Sequence, residues 1–292
     1  MSPTHTYAIG GCAGKLGDRL AFKLGVIGYG TIASLALECL ARELATPLDA
    51  VICLARENAE ARAAAMMERA PPQLAHHRLV LSSLEAFVQA QPDLVIEAAG
   101  HGALRDCGVR VLEAGADLLV TSVGALADED LHRKLMAASN QGGALILSTG
   151  AIGGLDILAA AKLAGLESVT YTSRKPPRAW RDTKAETLLD LDRLTSESIF
   201  YEGDARGAAM DYPQNANVAA TLALHGAGFA ATRVRLMADP AVTANVHEIH
   251  LRSACANISF KIEGRPSPAN PKTSLTTAYS LAAQVLQWMG RR

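Results

Sequence analysis

Residues 24–33 constrain the fold of this chain more than any other stretch. Residues 24–27 form a short apolar run, as expected of a parallel strand that is buried on both faces. Gly28 and Gly30 follow, and the apolar residues after them recur at helical spacing. A strand, a glycine turn and a helix in this order are typical of a dinucleotide-binding fold, because the backbone can approach the phosphates and the helix N-terminus attracts them.

The glycine turn also permits a plainer interpretation, since such turns join core strands to helices without binding any ligand. Under the cofactor hypothesis, Gly28 makes the tight turn and Gly30 lets the backbone approach the pyrophosphate. Thr31 and Ile32 then present their amides at the helix N-terminus, and Ala33 stays small so that helix and strand can pack closely. The candidate cofactor-binding residues are therefore Gly28, Gly30, Thr31 and Ile32.

Composition and charge exclude several other classes of protein. The 292 residues suffice for two domains, and a formal charge of −1 gives no general attraction for nucleic acid or for an anionic membrane. No apolar run is long enough to span a membrane, and the first residues lack a secretion-signal pattern. The five cysteines show neither metal-ligand spacing nor a disulfide framework, so we expect a cytoplasmic protein without a bound metal.

Strand and helix signals alternate from residue 24 to about residue 150, which predicts an α/β domain with a parallel sheet covered on both faces. Longer alternating runs then predict a second sheet, with strands over 167–173, 232–237, 245–252 and 254–262 and helices near 184–194 and 217–224. We expect four segments: a flexible extension (1–23), a Rossmann domain (24–150), an α+β substrate domain (151–270) and a C-terminal helix (271–292) that could return to the Rossmann domain.

The residues after the second predicted strand bear on the choice of nicotinamide cofactor. An acidic side chain there would bind the ribose 2′-hydroxyl and repel a 2′-phosphate. This chain has Arg56 instead, followed by Glu57. Arg56 could accommodate the 2′-phosphate of NADP, or it could simply face water, as most arginines do. Both NAD and NADP are therefore open as cofactors.

Histidines near residue 247 are the first candidates for chemistry in the second half. Strand alternation places Asn245 and His247 on one face and Glu248 and His250 on the other, so the two histidines should not chelate one metal ion. A histidine facing a cleft can act as a general acid or base. The ordinary alternative is a surface position or a hydrogen-bonded place in the core.

Three further stretches have two interpretations each. Residues 148–156 form a glycine-rich loop after a strand, where an open α/β sheet binds ligands, and a hinge between domains is compatible with this. Arg174 and Lys175 precede two prolines, and they could bind substrate carboxylates or form a solvated turn. Asn215 and Asn217 follow Pro213, and either asparagine could simply cap a helix.

Taken together, these stretches resemble the L-aspartate dehydrogenase family. The resemblance runs from about residue 24 to the C-terminus and rests on residues 28–33 (GYGTIA), 148–156 (STGAIGGLD), 173–177 (SRKPP), 213–221 (PQNANVAAT), 238–240 with 245–247, and 270–274 (NPKTS). The later motifs are more specific than the glycine turn. Ala216 departs from the family pattern, which commonly has a bulkier apolar residue there, and this difference concerns packing more than chemistry.

The resemblance implies a Rossmann domain and an α+β domain that also mediates dimerisation, so we expect a homodimer. It implies reversible oxidation of L-aspartate with NAD or NADP. The product iminoaspartate would be hydrolysed to oxaloacetate and ammonia, or drawn into NAD biosynthesis. It also implies that His247 is the catalytic histidine and that Ala151 and Asn217 contact the cofactor. The weaker candidates for binding the substrate carboxylates are Arg174, Lys175, Thr273 and Ser274.

Two other functions remain open at the level of sequence. One is a related two-domain reductase, similar to homoserine dehydrogenase or dihydrodipicolinate reductase, whose substrate would need different polar contacts. The other is a non-catalytic NADP-binding redox sensor, which would present an exposed apolar patch to a protein partner.

Overall fold

The structure, a computed structural model, describes residues 22–213, 215–267 and 270–290. These divide into two compact units, one containing the described residues up to Ser148 together with those from Ala278, and the other Thr149–Thr277. Most of the expected N-terminal extension, residues 1–21, lies outside the described residues. Lys23, which the prediction assigned to that extension, already belongs to the first strand.

The first unit has six described strands, which are Lys23–Ile27 (β1), Leu48–Leu54 (β2), Ala75–Leu81 (β3), Leu94–Glu97 (β4), Asp117–Val120 (β5) and Leu145–Leu147 (β6). The helices that connect them are Thr31–Glu43 (α1), Glu60–Arg69 (α2), Leu84–Gln89 (α3), His101–Glu113 (α4) and Glu129–Ser139 (α5). All strands are parallel, in the order β3-β2-β1-β4-β5-β6. This order confirms the predicted Rossmann fold and puts its topological switch point between β1 and β4.

Apolar periodicity explains why these segments fold as they do. Leu24 and Val26 are fully buried in β1, and Ala33, Leu37 and Leu40 form the buried face of α1.

Helix α3 begins at a side-chain cap. Ser83 is the cap, and its Oγ accepts a hydrogen bond from the amide of Ala86 at 3.3 Å.

The C-terminal helix Leu275–Met289 (α9) packs on the first sheet through the residues that belong to the first unit. Leu281, Ala282 and Val285 are fully buried in the same hydrophobic cluster as Leu24 and Val26. Near the end of the helix, the Trp288 indole donates a hydrogen bond to Asp117 Oδ2 at 2.7 Å.

The second unit contains the strands Leu166–Lys175 (β7), Ser198–Asp204 (β8), Thr232–Ala238 (β9), Val246–Ser253 (β10) and Asn257–Glu263 (β11), followed by the short pair Pro266–Ser267 (β12) and Asn270–Ser274 (β13). Its helices are Leu155–Gly165 (α6), Ala205–Asp211 (α7) and Asn217–His225 (α8). The large sheet has the order β11-β10-β7-β9-β8. Strands β7 and β9 are parallel and the other pairs antiparallel, so the prediction of a second, mixed-sheet domain is confirmed.

One face of this mixed sheet is buried and the other is polar. Helix α6 contacts β10, and α7 and α8 contact β9. Tyr171, Ser173 and Lys175 alternate along β7 onto the buried face, where His247 and Ile249 of β10 join them. The opposite face carries charged side chains such as Arg174 and Glu248.

The helix predicted near residues 184–194 is wrong beyond its first turn. Only Lys184–Thr187 is helical, as a single 3-10 turn. Leu188 is 53% exposed, so the segment has no continuous apolar face that would hold a longer helix against the sheet. Strand β8 and helix α7 were not anticipated. Among the described residues, no helix is both long and apolar enough to cross a membrane.

Candidate functional site

The glycine turn after β1 has the geometry that a dinucleotide requires. Gly28 has φ +117°, and a Cβ on it would lie 2.7 Å from the carbonyl oxygen of Ala98, so glycine is needed there. Gly30 is the N-cap residue of α1, no side chain caps the helix, and a Cβ on Gly30 would meet nothing within 4 Å. The amides of the first turn, which include those of Thr31 and Ile32, are therefore left for a ligand, and the turn fits a pyrophosphate.

A buried carboxylate fixes the loops beside this turn. Glu97, the last residue of β4, is fully buried, and its Oε1 accepts hydrogen bonds from the amides of Ala99 and Gly100, both at 2.8 Å, and from Ser122 Oγ. Its Oε2 accepts from the amide of Ser122 at 3.0 Å. Glu97 thus ties together the loops after β4 and β5 at the edge where such sheets bind nucleotides. A glutamate at the end of an apolar strand is the one sequence signal that could have pointed to it.

Arg56 follows β2, next to the glycine turn. The register pairs Leu54, the last residue of β2, with Ile27, the last residue of β1. The Arg56 Nε donates a hydrogen bond to the hydroxyl of Tyr29, between the two glycines, at 3.3 Å. The structure therefore brings Arg56 to the candidate cofactor turn.

His247 lies on the buried face of the second sheet and is only 4% exposed. Its Nδ1 is 2.8 Å from the hydroxyl of Tyr171, and its Nε2 is buried without a hydrogen-bond partner among the described residues. Burial, with a smaller contribution from the charge of Lys175, lowers the pKa of His247 to about 3, so the imidazole is neutral near pH 7. Burial also raises the pKa of Tyr171, so its hydroxyl stays protonated.

Lys175 shares this buried face with His247. Its Nζ donates a hydrogen bond to Asn215 Oδ1 at 2.6 Å and lies 4.8 Å from the ring centroid of Trp180. Burial lowers the pKa of Lys175 to about 8, which leaves the amine mostly protonated at pH 7. A buried cation next to a buried neutral histidine can bind an anionic substrate and exchange a proton with it.

Arg174 points to the opposite face, although it neighbours Lys175 in the chain. Its Nη1 is 2.7 Å from Oδ2 of the buried Asp239, and it also pairs with Glu197. The hydrogen bond that Arg174 donates to Asp239 is the main reason why the pKa of Arg174 is raised. Its charge is already balanced by protein carboxylates, which favours a structural role, and substrate binding by Arg174 stays a prediction.

The other predicted residues of the second unit are dispersed. Ala151 is buried in the turn after β6, and Asn217 is the half-buried first residue of α8. Ser274 is buried at the end of β13, with no hydrogen-bond partner for its Oγ among the described residues. It lies beside Gly264, whose amide donates to the carbonyl of Asn245 at 2.8 Å. The side chain of Thr273 lies outside what the structure describes.

Tyr171, Asn215, Trp180 and Glu97 were not predicted as site residues. Tyr171 shares a strand face with Ser173 and Lys175, but pairing it with His247 requires knowing that β7 lies beside β10. A helix cap was one interpretation of Asn215, yet no side chain caps α8 and the Asn215 amide oxygen accepts a hydrogen bond from Lys175.

Comparisons with known proteins agree with both units. A family profile described as "Homoserine dehydrogenase, NAD binding domain" matches residues 28–148, and one described as "Aspartate dehydrogenase, C-terminal" matches residues 156–288. The L-aspartate dehydrogenase of Ralstonia nicotianae is 45% identical over 257 residues, which cover 88% of this chain and 93% of that protein. The L-aspartate dehydrogenase of Ruegeria pomeroyi is 43% identical over 272 residues, or 93% of each chain.

A solved structure extends the similarity to three dimensions. The crystal structure of aspartate dehydrogenase from Thermotoga maritima has a TM-score of 0.68 and 25% sequence identity, and the match covers 91% of this chain and 95% of that one. The family resemblance expected from the motifs is thereby confirmed, as is the expectation of NAD or NADP as cofactor. The chain belongs to the L-aspartate dehydrogenase family.

Proposed function

We propose that this chain catalyses the reversible NAD(P)-dependent oxidation of L-aspartate to iminoaspartate, which water converts to oxaloacetate and ammonia. The observation that carries the proposal is the buried His247, whose Nδ1 is held by Tyr171 and whose Nε2 is unpartnered, next to the buried cation of Lys175. The choice of L-aspartate as substrate comes from the relatives named L-aspartate dehydrogenase.

The first unit is proposed to hold the cofactor, which when bound accepts the hydride from the α-carbon of the substrate. The backbone of the glycine turn and the uncapped N-terminus of α1 would bind its pyrophosphate, and Arg56 would lie at its ribose. The residues proposed to contact the cofactor are Gly28, Gly30, Thr31, Ile32, Arg56, Ala151 and Asn217.

His247 is proposed to be the general base. Its Nε2 would take a proton from the substrate ammonium, or from the water that attacks the imine, and return it in the reductive direction. For Nε2 to carry the lone pair, Nδ1 must hold the proton and donate it to the Tyr171 oxygen. The low pKa of His247 reflects burial beside a cation, and a dianionic substrate would raise it toward neutrality.

Lys175 is proposed to bind a substrate carboxylate. An ammonium has three N–H donors, and Asn215 accepts one of them. The amine is buried, so its attraction for a carboxylate is screened less than at the surface. Ser274 and Thr273 are the secondary candidates for the other carboxylate, and the buried Oγ of Ser274 supports the first of these.

Tyr171→Phe tests the proposed tautomer. We expect kcat to fall about tenfold, since the variant removes one buried hydrogen bond that favours the proton on Nδ1. KM for aspartate should change little, because the variant leaves Lys175 in place. Kinetics should be combined with NMR of the imidazole nitrogens, where we expect the Nε2–H tautomer to become more populated. An unchanged tautomer together with unchanged kcat would show that Tyr171 only fills space.

Two glycine substitutions separate the folding role of the turn from its binding role. Gly28→Ala should lower the free energy of unfolding by about 1–3 kcal/mol, because of its positive φ and the close carbonyl of Ala98. Gly30→Ala has room for its Cβ and an ordinary φ of −93°, so the fold should tolerate it. We expect it to weaken nucleotide binding by roughly tenfold or more, because the Cβ enters the space that the pyrophosphate needs. Thermal melts and nucleotide titrations measure both; normal binding by Gly30→Ala would contradict the assignment.

The activity itself is tested by mixing the purified chain with oxaloacetate, ammonia and NADH or NADPH, and following the ultraviolet absorbance of the reduced nicotinamide. Oxidation that depends on ammonia supports the proposal. Oxidation that does not need ammonia would indicate a keto-acid reductase instead. The match to the homoserine dehydrogenase NAD-binding profile makes an aldehyde reductase of that type the second candidate, and aspartate semialdehyde in the same assay distinguishes it.

We further propose a cytoplasmic homodimer that supplies iminoaspartate for NAD biosynthesis. The free thiols of Cys39, Cys53, Cys107 and Cys255 suit a reducing compartment. Helix α6 exposes Ile157 and Leu163, the latter at 91%, and exposed apolar residues of this kind suit an interface with a second copy. Sedimentation velocity tests the dimer.

A further inference from the structure

Two arginines converge on the tyrosine of the glycine turn. Tyr29 is partly buried and packs against the core of the first unit, which fixes its ring. The Arg56 Nε donates to its hydroxyl at 3.3 Å. Arg62, in the first turn of α2, places its guanidinium carbon 5.4 Å from the ring centroid. The two guanidinium groups are thus held close to one side chain that the turn itself supplies.

Neither guanidinium is neutralised by a carboxylate among the described residues. Glu57 neighbours Arg56 in the chain but does not pair with it. Other exposed arginines of this unit do form ion pairs, such as Arg105 with Asp128 and Arg110 with Glu85. The Nη groups of Arg56 and the guanidinium of Arg62 therefore remain as donors for an anion from outside the protein.

The arginine pair lies where a Rossmann domain distinguishes its two cofactors. A chain selective for NAD places a carboxylate after β2 to bind the ribose 2′-hydroxyl. Here Leu54 is followed by the buried methyl group of Ala55 and then by Arg56, so no carboxylate occupies that place. A 2′-phosphate would meet two guanidinium groups that no described carboxylate pairs with.

We infer that Tyr29, Arg56 and Arg62 form a binding site for the 2′-phosphate of NADP, so that this chain prefers NADP(H) to NAD(H). A phosphate monoester carries close to two negative charges near neutral pH, and the planar forks of two arginines match its oxygens. Contact with the Tyr29 hydroxyl restricts Arg56, and contact with the Tyr29 ring restricts Arg62, before the ligand arrives, which lowers the entropy cost of binding. The inference rests on the proposed cofactor turn and is independent of the substrate.

The test is direct titration of the full-length chain with NADPH and with NADH, followed by nucleotide fluorescence and without any substrate. We expect NADPH to bind at least ~10-fold more tightly than NADH at low salt. Contact with water reduces the strength of charge-assisted hydrogen bonds to phosphate, but their net contribution remains substantial. The preference should shrink as salt is added, while NADH affinity changes little, since the extra interaction is between exposed charges.

The variants Arg56→Ala, Arg62→Ala and the double variant should each weaken the binding of NADPH far more than the binding of NADH. The double variant should bring the two Kd values close together. Arg69→Ala is the matched control, because it removes an exposed arginine from the same helix α2 at its far end. It should keep the wild-type preference. Thermal melts of all four variants check that each remains folded.

Equal wild-type affinities for the two nucleotides, or a preference that survives in Arg62→Ala, would overturn the inference while leaving the cofactor turn intact. Failure of both nucleotides to bind would overturn the cofactor turn itself. If the chain prefers NADPH in this titration but does not oxidise aspartate, the result supports the 2′-phosphate site and contradicts only the proposed substrate.

Discussion

His247→Ala is expected to lower kcat by about 10²–10⁴-fold, the usual contribution of a positioned general base. The residue is buried, its Nδ1 is held by Tyr171, and its Nε2 has no protein partner among the described residues. Nucleotide affinity should stay nearly normal, because the residues proposed to bind the pyrophosphate belong to the other unit. Steady-state kinetics with aspartate, together with a nucleotide titration, measure both quantities.

His250→Ala is the matched control for this variant. His250 lies on the same strand, faces the polar side of the sheet and contacts Ser259 Oγ at 2.8 Å. It should keep wild-type kcat. An unchanged kcat in His247→Ala, or an equally large loss of kcat in His250→Ala, would contradict the assignment of His247 as the base.

Lys175→Met is expected to raise KM for aspartate about 10²-fold, since it removes a buried charge-assisted hydrogen bond to a carboxylate. The same variant should make the fold more stable. The pKa of Lys175 is about 8 in the folded chain, below its usual 10.5, so burying the charged amine costs about 3 kcal/mol near pH 7. Methionine keeps the packing of the stem but loses the hydrogen bond to Asn215, so a gain of about 1–3 kcal/mol remains.

Lys175 makes both the stability of the fold and KM for aspartate depend on pH, each in a definite direction. Between pH 8 and 10.5 the unfolded chain binds more protons at Lys175 than the folded chain does, so the contribution of this group to stability rises with pH across that window. Substrate binding should change in the opposite direction. In the wild type, KM for aspartate should rise above pH of about 8 as the amine loses its charge, and Lys175→Met should lack this rise.

Lys184→Met is the control for the Lys175→Met measurements, because Lys184 is an exposed lysine of the same unit that pairs with Asp211 at 3.0 Å. We expect it to leave KM and its pH profile unchanged. A Lys175→Met variant that is less stable and has normal KM would show that Lys175 holds the fold together and does not bind substrate. A stabilising substitution that destroys function is the usual mark of a residue kept for activity.

Local patterns determined most of the fold. The apolar run of β1, the glycines after it and the helical spacing of α1 all act over a few residues, so the sequence alone predicts the Rossmann domain. Alternation along β10 likewise placed His247 and His250 on opposite faces, and the structure agrees. The helix expected near residues 184–194 was wrong because Leu188 stays more than half exposed and does not anchor a longer helix, which the local pattern cannot show.

The candidate site depends on contacts between distant parts of the chain. Tyr171 and His247 are 76 residues apart, and Lys175 and Asn215 are 40 apart, so their meeting follows from the pairing of strands and the path of a loop. Family motifs pointed to His247 and Lys175 without showing that Tyr171 holds the ring. They also could not separate Arg174 from Lys175, which the pleat of β7 sends to opposite faces.

By itself, the sequence determined the fold class, the glycine turn after β1 and the family, because periodicity and short motifs are properties of neighbouring residues. Only the tertiary structure decided which side chains are buried together, which charges are already balanced and which remain for a ligand. Burial lowers the pKa values of both His247 and Lys175, the charge of Lys175 adds to the shift of His247, and this burial depends on groups brought together from across the chain.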